Sequence, residues 1–91
     1  MNVTKSALHP PPYRVSYAHR PVRKGDLMEY ADIYANDVII GYWYCERVLQ
    51  SQYGQFVANE YGRELLKGKT YAGGSTYSVA GILENRLNGK E

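Results

Sequence analysis

The segment of residues 38–45 constrains the fold of this chain more than any other feature. It reads Val-Ile-Ile-Gly-Tyr-Trp-Tyr-Cys and is the longest apolar run, eight residues, whereas a membrane-spanning helix needs about 20. Its β-branched and aromatic side chains favour a strand. The preceding Asn36-Asp37 pair is typical of a tight turn. The run therefore predicts a strand over residues 38–44 that forms a hairpin with the segment before it.

The preceding segment, residues 27–35, fits two structures. As a helix it would begin at an Asp26 cap and place Leu27, Tyr30 and Ala31 on one face. As a strand it would be the first half of the hairpin, and we favour this interpretation. Residues 13–19 alternate between apolar or aromatic and polar or small side chains, which predicts another half-buried strand.

Residues 45–66 also fit two structures, and the sequence does not decide between them. One long amphipathic helix would use a set of apolar residues at helical spacing: Val48, Leu49, Tyr53, Phe56, Val57, Tyr61 and Leu65. However, Gly54 and Gly62 would each cost about 1 kcal/mol inside a helix. The alternative is a pair of strands, at residues 42–49 and 55–61, joined by a turn at 51–54.

The end of the chain predicts a helix that begins after the cap residue Ser75. An apolar stripe follows, made by Val79, Ile82, Leu83 and Leu87. The favoured fold is therefore a small α+β domain over residues 13–91, with an antiparallel sheet of three or four strands packed against this helix. The alternative is a mostly helical fold with a long helix at 45–66. Residues 1–12, which end in three prolines, predict a flexible proline-rich arm.

The residue types offer no catalytic or metal-binding set. A single cysteine excludes an internal disulfide and a cysteine-cluster zinc site. The two histidines have no carboxylate at ligand spacing, and Gly68-Lys69-Thr70 lacks the first glycine of a phosphate-binding loop. We therefore expect no enzyme activity, no cofactor and no metal. Without a recognisable secretory signal or membrane segment, we expect a cytoplasmic protein.

Tyrosine and charge are unevenly distributed. The chain has ten tyrosines against one phenylalanine and one tryptophan, and tyrosine is favoured at protein interfaces. The net charge is only +2, but residues 1–25 carry five cations and no carboxylate, and residues 26–46 carry five carboxylates and no cation. These features predict docking on a protein partner, or pairing of two copies, through residues of the first half: Tyr13, Tyr17, Arg20, Arg23, Lys24, Tyr30 and Tyr34.

A nucleic-acid interface is the alternative. Residues 44–49, 55–63 and 68–70 together resemble the hairpin of the WGR domain, a family found in poly(ADP-ribose) polymerases, with Tyr61 in place of its signature tryptophan. The resemblance implies that Tyr61 and Arg63 contact DNA. Lys67 and Lys69, near a glycine-rich loop, are further candidates for an anion or nucleic-acid contact.

The expected function is therefore that of a small, non-enzymatic binding protein. Small non-enzymatic proteins of this kind are common among phage-encoded accessory proteins that inhibit or regulate host defence or nucleic-acid machinery, and this analogy suggests a similar role here. Direct DNA or RNA binding is the second expectation.

Overall fold

The computed structural model describes residues 12–90, which form a five-stranded antiparallel sheet and two helices. The strands pair in sequence order and are β1 (Val15–His19), β2 (Met28–Ala35), β3 (Val38–Glu46), β4 (Gly54–Ala58) and β5 (Gly73–Gly74). Helix α1 (Glu60–Leu66) lies between β4 and β5, and helix α2 (Thr76–Leu87) follows β5. The α+β class and the C-terminal helix are confirmed, with five strands rather than three or four. Most of the predicted proline-rich arm, residues 1–11, lies outside the described residues.

The β2–β3 hairpin is confirmed, and the helical alternative for residues 27–35 is wrong. Asn36 and Asp37 both have positive φ, 48° and 71°, as the tight turn between twisted strands requires. Every second residue of β2 is buried, namely Ala31, Ile33 and Ala35. This period of two lets one face of the segment pack on a core and leaves the other exposed, which a helix could not do.

Residues 45–66 do not form a long helix, so the mostly helical alternative is wrong. Strand β3 continues to Glu46, and a 3-10 turn, Arg47–Leu49, leads into β4. The predicted second strand ends at Ala58, three residues early, because the side chain of Asn59 accepts a hydrogen bond from the Gly62 amide (2.7 Å) and begins α1. The segment therefore contains a shortened strand and a short helix.

The core lies between one face of the sheet and the two helices. Trp43 and Ile33 of the sheet and Val79 and Leu83 of α2 are all fully buried there. Ser75 caps α2 as predicted, since its hydroxyl accepts a hydrogen bond from the Ser78 amide (3.1 Å). No helix in the part of the chain that the structure describes is long and apolar enough to cross a membrane.

Candidate functional site

The face of the sheet turned away from the helices carries a row of tyrosines. Because Ala31 and Trp43 point into the core, the residues on either side of them in β2 and β3 point outward. Strand pairing then sets Tyr30 opposite Tyr44, and Tyr42 opposite Asp32. We call this surface the tyrosine face and define it by its four aromatic residues: Tyr30, Tyr34, Tyr42 and Tyr44.

Three of these rings pack side by side. The ring centroids of Tyr30 and Tyr42 are 6.1 Å apart, and those of Tyr42 and Tyr44 are 6.2 Å apart, with tilted planes. Such spacings are within the range of favourable aromatic pairs. Tyr30 is 36% exposed, and the other rings of the face are partly exposed. Tyr30, Tyr42 and Tyr44 thus form one aromatic cluster in which neighbouring rings contact each other.

An ion pair fixes one side of the tyrosine face. Arg20 donates from Nη2 (2.8 Å) and Nε (3.2 Å) to Oδ1 of Asp32. Its guanidinium carbon lies 5.2 Å from the ring centre of Tyr30 and 5.7 Å from that of Tyr42. The pKa of Arg20 is raised above its ordinary value, chiefly by the hydrogen bond to Asp32. Arg20 is therefore an ordered, charge-compensated part of the face.

The residues predicted to bind a partner do not all share this face. Arg20, Tyr30 and Tyr34 lie on it. Tyr17 points to the opposite side of β1, where its ring makes an edge contact with His19 at 5.7 Å. The backbone of Tyr13 is hydrogen-bonded in both directions to the side chain of Asn88, which holds this residue beside the end of α2.

The other two predicted partner-binding residues, Arg23 and Lys24, are exposed in the loop between β1 and β2. The Arg23 amide donates to Oδ2 of Asp26, so this loop is closed on itself. Sequence reasoning omitted Tyr42 and Tyr44 from the set. Strict alternation around a buried Trp43 would have assigned both to the outer face.

The four residues predicted to contact an anion or nucleic acid lie on two different segments, α1 and the loop that follows it. Tyr61 and Arg63 lie on α1, and Nη1 of Arg63 donates to the carbonyl of Ala58 (2.9 Å). The Tyr61-Gly62-Arg63 motif is therefore helical, not part of a hairpin strand as in the WGR resemblance. Lys67 and Lys69 are exposed in the loop that follows α1.

Comparison with known proteins adds no family assignment. No protein-family model, no curated protein and no solved structure matches this chain. Within residues 12–90 there is also no group of three or more His, Cys, Asp or Glu side chains that could hold a metal ion.

Cys45 lies in the core beside Glu29, close to His19. Nδ1 of His19 is 3.9 Å from Oε2 of Glu29, and the cysteine is 2% exposed. The pKa of the Cys45 thiol is raised, first because burial disfavours the thiolate and further because Glu29 is nearby. A protonated, buried thiol is a poor nucleophile.

Cys45 is accordingly expected to react with a thiol reagent roughly a hundredfold more slowly in the native protein than in the same protein unfolded in urea. Because the folded-state pKa is raised, the difference should persist above about pH 8.5, where a free thiol is ionised. Stopped-flow absorbance with an aromatic disulfide reagent measures both rates. Equal rates would show that the thiol is accessible in the native fold.

Proposed function

We propose that this chain is a non-enzymatic binding protein that docks on a larger protein partner through the tyrosine face. The observation that carries the proposal is the ordered aromatic array on a helix-free sheet face. An antiparallel sheet with one face toward water normally alternates apolar-in and polar-out. Here tyrosine instead fills four of the outward positions of β2 and β3, at 30, 34, 42 and 44.

The chemistry of the face suits a protein surface. Tyrosine offers a large contact area at low conformational-entropy cost, and its hydroxyl can hydrogen-bond at the rim. The ring contacts and the Arg20–Asp32 pair hold the array before binding, so little order must be imposed by the partner. The partner surface that fits is an aromatic or aliphatic patch of low net charge with hydrogen-bonding groups for the hydroxyls.

Charge favours a protein over a nucleic acid on this face. Its outward positions at 16–20, 28–34, 42–46 and 55–57 include three charged residues, Arg20, Asp32 and Glu46, and the single cation among them, Arg20, is paired with Asp32. Phosphate binding depends on cations that displace the counterions condensed on the nucleic acid, and the one cation of this face is already paired. A second copy of the chain is a competing occupant, because a face that carries both cationic and anionic side chains can be complementary to itself.

The proposal extends to the kind of biological role. A small protein whose activity is one docking surface suits an inhibitor or regulator, of the type that phages encode against host defence or nucleic-acid machinery. A cytoplasmic location is part of the proposal, and one unpaired cysteine is consistent with a reducing compartment.

Site-specific photo-cross-linking tests this docking. A benzophenone amino acid replaces Tyr34 on the face or, as the matched control, Tyr77, which is 79% exposed on α2. In extract of the cells in which the protein is made, we expect position 34, but not position 77, to cross-link one protein in stoichiometric yield. Cross-links only to a second copy would assign the face to a homodimer, and cross-links to nucleic acid or to nothing would overturn the proposal.

With the cross-linked partner purified, Tyr42→Ala is expected to weaken binding by about 2 kcal/mol or more, as buried aromatic anchors do. Tyr61→Ala, an exposed tyrosine on α1, should change binding by less than about 0.5 kcal/mol. Isothermal titration calorimetry gives both values. Equal effects of the two substitutions would remove the tyrosine face from the interface.

A further inference from the structure

A second surface lies at the β5 edge of the sheet, around the loop between α1 and β5. Three open depressions of about 400, 330 and 420 Å³ adjoin one another there. Tyr71 and Arg86 line both the first and the second, and Lys69 and Arg86 line both the second and the third. They form one continuous track, which we call the loop surface and define by its larger side chains: Tyr53, Lys67, Lys69, Tyr71 and Arg86.

The loop surface is built on a fixed backbone. Nη1 of Arg86 donates to the carbonyl oxygens of Lys69 (3.1 Å) and Tyr71. The next carbonyl, that of Ala72, accepts from the Phe56 amide (3.0 Å). Because these carbonyls are bound from within the fold, the exposed side chains at positions 67, 69 and 71 are presented from an ordered loop.

The lining of the first depression is rich in glycine, beside Gln55, Ala72, Ile82 and Arg86. Gly54, Gly73 and Gly74 line it, and the buried indole of Trp43 lies directly beneath Gly54. Tyr53 and Tyr71, 68% and 76% exposed, line the same depression and do not stack on each other or on any other described ring. Two exposed rings beside this glycine-rich lining offer stacking surfaces to a planar ligand.

The charge along the track is of one sign. No Asp or Glu of residues 12–90 lines any of the three depressions. Lys67 and Lys69 make no ion pair with a described residue, in contrast to Arg20 on the tyrosine face. Unpaired lysines next to exposed aromatic rings match a ligand that alternates phosphates with planar bases.

We propose that the loop surface binds single-stranded nucleic acid, with bases stacked on Tyr53 and Tyr71 and backbone phosphates on Lys67 and Lys69. Arg86 acts as the positioning residue that holds the loop. A duplex hides its bases, so aromatic rings of this kind select the single strand. This surface is separate from the tyrosine face, so the inference does not depend on the proposed protein partner.

The test is fluorescence anisotropy with a labelled single-stranded oligonucleotide of about 12 nucleotides, titrated at several salt concentrations. Two phosphate contacts predict a slope of log affinity against log salt of about −1.4, and Lys69→Gln should reduce its magnitude by about 0.7. Tyr71→Ala should weaken binding roughly 5- to 150-fold, and Tyr71→Phe should retain most of it.

Matched controls come from equally exposed residues elsewhere. Lys24→Gln in the β1–β2 loop and Tyr77→Ala on α2 should each leave affinity within about twofold. Tyr42→Ala should leave it unchanged, which separates this surface from the tyrosine face. Circular dichroism confirms that each variant is folded.

Three results would overturn the proposal. One is no binding at low salt, and another is equal loss in the control variants. The third is binding of polyglutamate or anionic vesicles with the same lysine dependence and no tyrosine dependence, because that would assign the track to polyanions in general.

Discussion

Gly62→Ala is expected to lower the free energy of unfolding by about 3 kcal/mol. A Cβ at position 62 would lie 2.1 Å from the backbone carbonyl oxygen of Ile40 in β3. This carbonyl is backbone and is held by a hydrogen bond from the Asn59 amide (2.9 Å), so it cannot turn aside as a flexible side chain can, and α1 would have to move off the sheet. Alanine's better helix propensity offsets only about 1 kcal/mol of this cost.

Gly81→Ala is the matched control, since Gly81 is also inside a helix, α2. A Cβ at this position has nothing within 4 Å, so the substitution should stabilise the protein by about 0.5–1 kcal/mol. Urea unfolding followed by Trp43 emission measures both changes. The same glycine-to-alanine change should thus lower the free energy of unfolding at position 62 and raise it at position 81. Stabilisation by Gly62→Ala would mean that α1 does not pack against Ile40 as described.

These two glycines show what the sequence could and could not reveal. In the sequence, Gly54 and Gly62 argued against a helix through residues 45–66, and that argument was sound for Gly54, which lies in β4 against Trp43. Gly62 is inside a helix after all. Glycine is required at this position because α1 approaches Ile40 closely. This is a contact between distant parts of the chain, and helix propensity, a local property, does not report it.

The β2–β3 hairpin was predictable because its signals are local. The turn residues Asn36 and Asp37 take positive φ, and the flanking strands are rich in β-branched and aromatic side chains. The three consecutive apolar residues at 38–40 do not alternate with polar residues as a regular strand would, because β3 contains a bulge there. A bulge between β2 and β3 pairs Tyr34 with Ile39 and Ile33 with Gly41, which leaves Ile40 as the extra, buried residue.

The candidate surfaces were only partly predictable for the same reason. The sequence singled out tyrosines and cations by type, but their distribution over two surfaces depends on strand register. Pairing β1 with β2 brings Arg20 next to Asp32, so one cation of the basic segment is neutralised by one carboxylate of the acidic segment. Lys67 and Lys69, which make no ion pair with a described residue, come from the later part of the chain, where charge is mixed.

Trp43→Ala is expected to destabilise the protein by about 3–5 kcal/mol. Trp43 has no exposed surface, its indole packs under Gly54, and its Nε1 donates to the carbonyl of Gly74 (2.9 Å). A domain of this length has a total stability of about 5–14 kcal/mol, so the loss is at least about a fifth of the total and at the low end of the range leaves the variant close to unfolding at room temperature. Far-UV circular dichroism in urea measures the loss, since the substitution removes the only tryptophan.

Trp43→Phe separates the packing of the indole in the core from its hydrogen bond to the Gly74 carbonyl. It keeps an aromatic ring in the core but leaves the Gly74 carbonyl without its donor, so we expect a loss of about 1–3 kcal/mol. Hydrogen exchange should then accelerate first at β4 and β5, because the lost hydrogen bond joins β3 to β5 and spans β4, which lies between them. Uniform acceleration through β1 and β2 as well would mean that Trp43 stabilises the whole sheet by packing alone.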